Sequence, residues 1–261
     1  MITLFAPVET LTQKPMINKS NSFLCLMLLA CAPAVAQMNW EYVNLRQYRV
    51  KDMDVLNSFV KSAYPFMNQA KSLPTAGRFI ASGESGRIYA AVYLTSLDQF
   101  ANFIKERGKV LQDYAKTPGN VSEAMTANIE GGLDDVLWHW EKDMSSIPAG
   151  YDGLKMLWRK LNFVTVKSGM MDEYMATMKK VMEEEKMAGL NYTYLMFTAT
   201  YGAPDNMVLI SYPAASSLEY YTALAARQKV REANPQIIAL RRKATAMTAN
   251  TLVDQVTTVP Y

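Results

Sequence analysis

Cysteine is scarce in this 261-residue chain: its two thiols, Cys25 and Cys31, both lie near the N-terminus. No disulfide framework can therefore hold the body of the fold together. Histidine occurs once, at position 139, which leaves too few nitrogen and sulfur ligands for a zinc centre and little support for a histidine-based hydrolytic triad. Glycine-rich phosphate loops and dinucleotide fingerprints are missing. "SGESG" at 82–86 starts like a nucleophile elbow, but Arg87 stands where the motif needs its second glycine, so it reads as a hairpin turn. The formal net charge is only +3, far from the basic surplus that a nucleic-acid partner demands. Past residue 36 no apolar run is long enough to span a bilayer.

What is present begins with a leader. Ile17-Asn18-Lys19 precedes an apolar run from Phe23 to Ala30 and a small-residue end at Ala34-Val35-Ala36, the order of a secretory signal. Glu9 and Pro15 fit such a signal poorly, so Met16 reads as the working start. Cleavage after Ala36 is expected to leave Gln37 first and to send the protein to the periplasm or outside the cell, with no thiol. The alternative is a lipid anchor on Cys31, since Leu28-Leu29-Ala30-Cys31 fits a lipidation box. Against it, only about eight residues separate Cys31 from the first strand-like stretch at Trp40, a short tether.

The remainder is written twice. Ala124–Asn128, "AMTAN", recurs at Ala246–Asn250, and its neighbours recur in order. Val50-Lys51 answers Val166-Lys167, "VYLTSLDQF" (92–100) answers "SYPAASSLEYY" (211–221), and "LDDV" (133–136) answers "VDQV" (253–256). Periodicity predicts strand, helix, strand, strand, helix, strand in each half. In the first half these are Trp40–Val50, Asp54–Ala70 disturbed by Pro65, Phe79–Ser82, Ile88–Leu94, a helix from a capping box at Ser96–Gln99, and Val136–Glu141 after a polar excursion. In the second they are Met156–Lys167, Met171–Met187, Tyr192–Thr200, Met207–Tyr212, Leu218–Ala233 behind Ser216–Glu219, and Leu252–Val259. The organisation expected is a leader over 1–36, a first repeat over 37–146, a linker over 147–155 and a second repeat over 156–261.

This order resembles the ferredoxin-like dimeric α+β barrel superfamily, which includes antibiotic-biosynthesis monooxygenases, muconolactone-isomerase-like proteins and haem-handling barrels. The resemblance covers nearly the whole chain after the leader and lies in element order, without a catalytic signature. It implies an α+β fold of two tandem βαββαβ repeats, with two four-stranded sheets facing each other around a lumen and related by a pseudo-two-fold axis. One polypeptide would then supply both sheets. The resemblance also implies that the haem-binding branches take their axial histidine from a helix, whereas His139 reads as strand.

Candidate site residues follow from alternation. In "VLWHWEKD", Val136, Trp138 and Trp140 share one face, and His139 and Glu141 share the other with Leu137. If the tryptophans take the helix side, His139 and Glu141 point into the lumen, where the carboxylate would orient or charge an imidazole base. The alternative is an ordinary satisfied or surface histidine. Tyr42, Asn44, Arg46 and Tyr48 share one face of the first strand, as do Trp158, Lys160, Asn162 and Val164 in the second half. Such mixed aromatic and polar faces suit a ligand-binding lumen, with Tyr42, Arg46, Tyr48, Glu141, Trp158 and Asn162 as contacts, or else a partly exposed strand. Met171, Met175, Met178 and Met182 form one helical stripe; thioethers can bind Cu(I), but that spacing is what core packing requires.

Three functions fit: binding a small, largely apolar or aromatic molecule in the lumen; cofactor-independent monooxygenase or isomerase chemistry with His139 as proton acceptor; or a structural or interaction module. No metal or other cofactor is expected, and a small-molecule ligand is the expected partner. The chain is expected to be a monomer with internal pseudo-symmetry or a homo-oligomer.

Overall fold

The computed structural model describes residues 39–70, 73, 78–148 and 151–259; the expected leader, with Cys25, Cys31 and the expected cleavage point after Ala36, lies outside them. Eight strands, β1 (Tyr42–Val50), β2 (Arg78–Gly83), β3 (Arg87–Leu94), β4 (Ile129–Trp140), β5 (Trp158–Val166), β6 (Leu195–Tyr201), β7 (Met207–Ala214) and β8 (Thr248–Thr258), close into one barrel. Their order is β1-β3-β2-β8-β5-β7-β6-β4, with β4 returning to β1, and every pairing is antiparallel. Six described α-helices accompany them: α1 (Met53–Gln69), α2 (Leu97–Tyr114), α3 (Ser122–Asn128), α4 (Met171–Met187), α5 (Ser217–Glu232) and α6 (Pro235–Ala246). Four strands of each half lie side by side, β4-β1-β3-β2 and β8-β5-β7-β6. The two seams are short: Ala81–Gly83 of β2 against β8, and Leu137–Trp140 of β4 against β6.

Strand alternation sorts the side chains into two cores. Val43 and Leu45, Tyr89 and Ala91, Val136, Trp138 and Trp140, Leu161 and Phe163, Leu195 and Phe197, Leu209 and Val256 meet inside the barrel. The opposite faces meet helices. Tyr48, Ile80 and Ile88 pack with Leu56 and Val60 of α1, while Val92, Leu94 and Leu137 pack with Phe103 and Val110 of α2. Val164, Val166, Met196, Val208 and Ile210 pack with α4, and Met171, Met175, Met178 and Met182 lie against that cluster. The methionine stripe is thus core packing between helix and sheet.

Both serine caps form as the sequence predicts: Ser96 Oγ accepts from the Gln99 amide and Ser216 Oγ from the Glu219 amide. Gln99 reaches back one residue beyond its box, to the Thr95 amide at 2.7 Å. The polar excursion after α2 holds α3, and the second half holds α6, which the periodicity reading missed. Its start was nevertheless legible, because the Asn234 side chain accepts from the amides of Gln236 and Ile237 and Pro235 sits in the first turn. The last strand of each half begins earlier than alternation suggests, since backbone pairing carries β4 back to Ile129 and β8 back to Thr248.

The repeated pentapeptide does not occupy equivalent places. Its first copy lies wholly in α3, whereas the second starts in the last residue of α6 and runs into β8. Backbone bonding equates Asn128, whose carbonyl accepts from Lys51, with Met247, whose carbonyl accepts from Lys167. The spelled match is therefore out of step with the structural one.

Candidate functional site

One mouth of the barrel opens into a cavity of about 310 Å³. Its inner wall is apolar, formed by Val136 and Trp138 of β4 and Phe163 of β5, with Met207 and Leu252 beside them. Its rim is polar: Gln47, Arg87, Asp134, Thr165 and Asn250. The β6–β7 turn, Gly202-Ala203-Pro204, supplies the remaining wall. Gly202 is required there. It holds φ at 83°, and a β-carbon would drive into the carbonyl of Asp135.

Aromatic rings meet at the inner end of the cavity. Trp138 of β4 and Phe163 of β5 approach to 6.1 Å between ring centres, and Tyr89 of β3 stacks on Phe163 at 6.2 Å. Behind them the Tyr89 hydroxyl donates to Asp254 at 2.7 Å, and Ser85 bonds the same carboxylate through its hydroxyl and its amide. Burial and this carboxylate push the Tyr89 phenol well above its ordinary pKa, so it remains a donor. Among the described residues the buried Trp138 indole N–H has no acceptor. A cavity with an apolar wall, a polar rim and an uncommitted donor in its wall has the composition of a small-molecule site.

The residues singled out from the sequence lie elsewhere. Trp138 and Trp140 face the lumen, which reverses the condition that would have aimed His139 inward. Its ring meets Tyr42 edge-on at 5.3 Å on the outer face. His139 Nδ1 lies 3.0 Å from Glu141 Oε1, which also accepts from Thr198 at 2.6 Å. Those residues do come together, but His139 is 41% exposed. Arg46 belongs to an outer network in which Asp135 takes two bonds from its guanidinium and one from Asn44 at 2.6 Å. Tyr48 is buried against α1, and that burial pushes its phenol up to about 12 despite Arg46 nearby. Trp158 packs on Tyr220 at 5.0 Å, and Asn162 shares its outer face on β5. The expected contact residues thus lie on the helix side of the barrel; the mouth cavity is built from their sequence neighbours. Gln47, Trp138 and Phe163 each sit one position from a residue that was singled out.

No protein-family model matches the chain, and no curated protein matches it in sequence. Solved structures do match in fold. A candidate monooxygenase of Fusobacterium nucleatum is 13% identical with a TM-score of 0.56, over 86% of this chain and 94% of that one. A candidate monooxygenase of Lactobacillus acidophilus is 11% identical with a TM-score of 0.53, over 84% and 94%. An anthrone oxidase-like protein is 8% identical with a TM-score of 0.57, over 84% and 92%. At such identities the likeness shows the fold, an α+β barrel. No helix among the described residues is long and apolar enough to cross a membrane.

Proposed function

We propose that this protein binds a small, largely apolar or aromatic molecule in the mouth cavity of its barrel. The observation that carries the reading is the pairing of a Trp138–Phe163 wall with a rim of Arg87, Asp134, Gln47 and Asn250 around about 310 Å³, the size of a compact ring system. The rings would cover the ligand's apolar face, and Arg87 with the two amides would hold its oxygens. The proposal includes an internal duplication, with ferredoxin-like repeats over 37–146 and 156–261. The shared strand order of the two halves and their matching serine caps support it. It also includes export with cleavage after Ala36, which the leader composition supports.

A second reading, a cofactor-independent monooxygenase or isomerase, is favoured by the fold neighbours. In that case Asp134, a carboxylate on the cavity rim, replaces His139 as the proton acceptor. Titration with 8-anilinonaphthalene-1-sulfonate, which joins an aromatic body to an anion, tests the binding site. Wild type should bind with a rise in probe fluorescence, and Thr165→Trp, which fills the cavity from its rim, should bind at least about tenfold more weakly. Equal affinity in the two proteins would remove the cavity from consideration. An Asp134→Asn variant that binds normally but loses turnover of an enolisable aromatic substrate would select the catalytic reading.

A further inference from the structure

We infer that the barrel holds a second site, at the end of the lumen away from the mouth cavity, which takes a small monovalent anion such as chloride on Arg159. Arg159 lies near the start of β5 and faces inward, with 8% of its surface exposed. Its guanidinium stacks on the Phe79 ring at 4.5 Å, and among the described residues its one side-chain hydrogen bond is to the Thr258 hydroxyl at 3.5 Å, the outer limit for such a bond. Among the described residues no carboxylate lies within ion-pair distance of it. The interior carboxylate Asp254 is committed to Ser85, Tyr89 and the Gln255 amide.

A guanidinium carries five N–H donors and stays charged at any pH a protein survives. Holding this side chain mostly buried, with no carboxylate beside it among the described residues, costs free energy that an anion on its remaining donors would offset. Space for that partner exists. A cavity of about 20 Å³ lies between Arg159, Phe79, Tyr93 and Ser211, with Leu161 and Phe197 behind them. That is room for one ion or one water and excludes anything larger. Ser211 is buried on β7, two positions from the residue paired with Arg159, so its hydroxyl shares the chamber. Tyr93 adds a phenol whose pKa burial raises and the Arg159 charge lowers. Two neutral O–H donors beside a buried cation, with apolar side chains closing the rest, suit a weakly hydrated monovalent anion. This chamber and the mouth cavity share no lining residue.

Thermal unfolding at constant ionic strength tests the inference, with sodium chloride or bromide exchanged for gluconate. Wild type should gain a few degrees in Tm, saturating with halide concentration, because the ion binds only the folded chain. Arg159→Met should lose that dependence and unfold above wild type in pure gluconate, since an apolar side chain replaces an uncompensated charge. No halide dependence in wild type, as a water-filled chamber would give, overturns the site. So does an undiminished response in Arg159→Met. If that variant does not fold, anomalous diffraction from bromide-soaked wild-type crystals decides: density within hydrogen-bonding reach of Arg159 is expected, and its absence rejects the proposal.

Discussion

At the scale of single residues, Glu185 is a buried carboxylate held by two arginines. Its side chain is 4% exposed and receives Arg231 at 2.8 Å, Arg241 at 2.5 Å and the Tyr192 hydroxyl at 2.6 Å. Burial works to raise its pKa, but the charge of Arg241 and the bonds from Arg231 and Tyr192 prevail and hold it below the usual carboxylate range. Glu185→Gln should cost about 3 kcal/mol in urea unfolding at neutral pH, because Arg231 stays largely buried without its counterion. Folding depresses this pKa, so the carboxylate lends its stability above the unfolded value near 4.5 and loses it as pH falls through the lower folded value. The gap between wild type and variant should therefore be full near neutrality and close in acid; a pH-independent gap would point to packing instead. His139 sits at the other extreme, half in solvent on the outer face. His139→Ala should leave ligand affinity at the mouth cavity unchanged by calorimetry and shift Tm only slightly. A loss of binding would return it to the site.

Among the elements, the β6–β7 turn joins fold to site. Gly202 needs a positive φ and lies against the Asp135 backbone, so Gly202→Ala must move either the turn or β4. A loss of about 1–3 kcal/mol is expected, together with weaker probe binding, since the same turn walls the cavity. Unchanged stability would mean that the turn relaxes freely. The Asn234 cap of α6 offers a smaller contrast: Asn234→Ala should cost about 1 kcal/mol and leave the probe untouched, since neither Asn234 nor α6 lines the cavity. These elements also show where pattern reading succeeds. Met171–Met187 was legible to the residue from its methionine stripe, and Ser96 and Ser216 announced their helices. The start of β4 was not, because Glu130-Gly131 looks like a break until β1 pairs with it.

The whole molecule depends on closure. Each four-stranded half would leave one apolar face bare if alone, Val43, Leu45, Trp138 and Trp140 in the first and Leu161, Phe163 and Leu209 in the second. Residues 37–146 or 156–261 expressed separately should thus be insoluble or dimerise, and a stable monomeric half by sedimentation would contradict the duplicated-barrel reading. For the exported chain, intact mass should correspond to a start at Gln37, and acyl mass on Cys31 would instead place it on a membrane surface.

Local chemistry in the sequence was enough to determine the alternation of strands and helices, the serine caps and the methionine face of α4, because each depends on neighbours a few positions away. Only the tertiary structure decided which strand face is inside. In this barrel both faces are covered, one by helices and one by the opposite sheet, so period-two alternation separates Trp138 from His139 without saying which meets a ligand. That choice turns on contacts between β4 and β5, such as Trp138 against Phe163, made by residues far apart in the chain and invisible in either stretch alone.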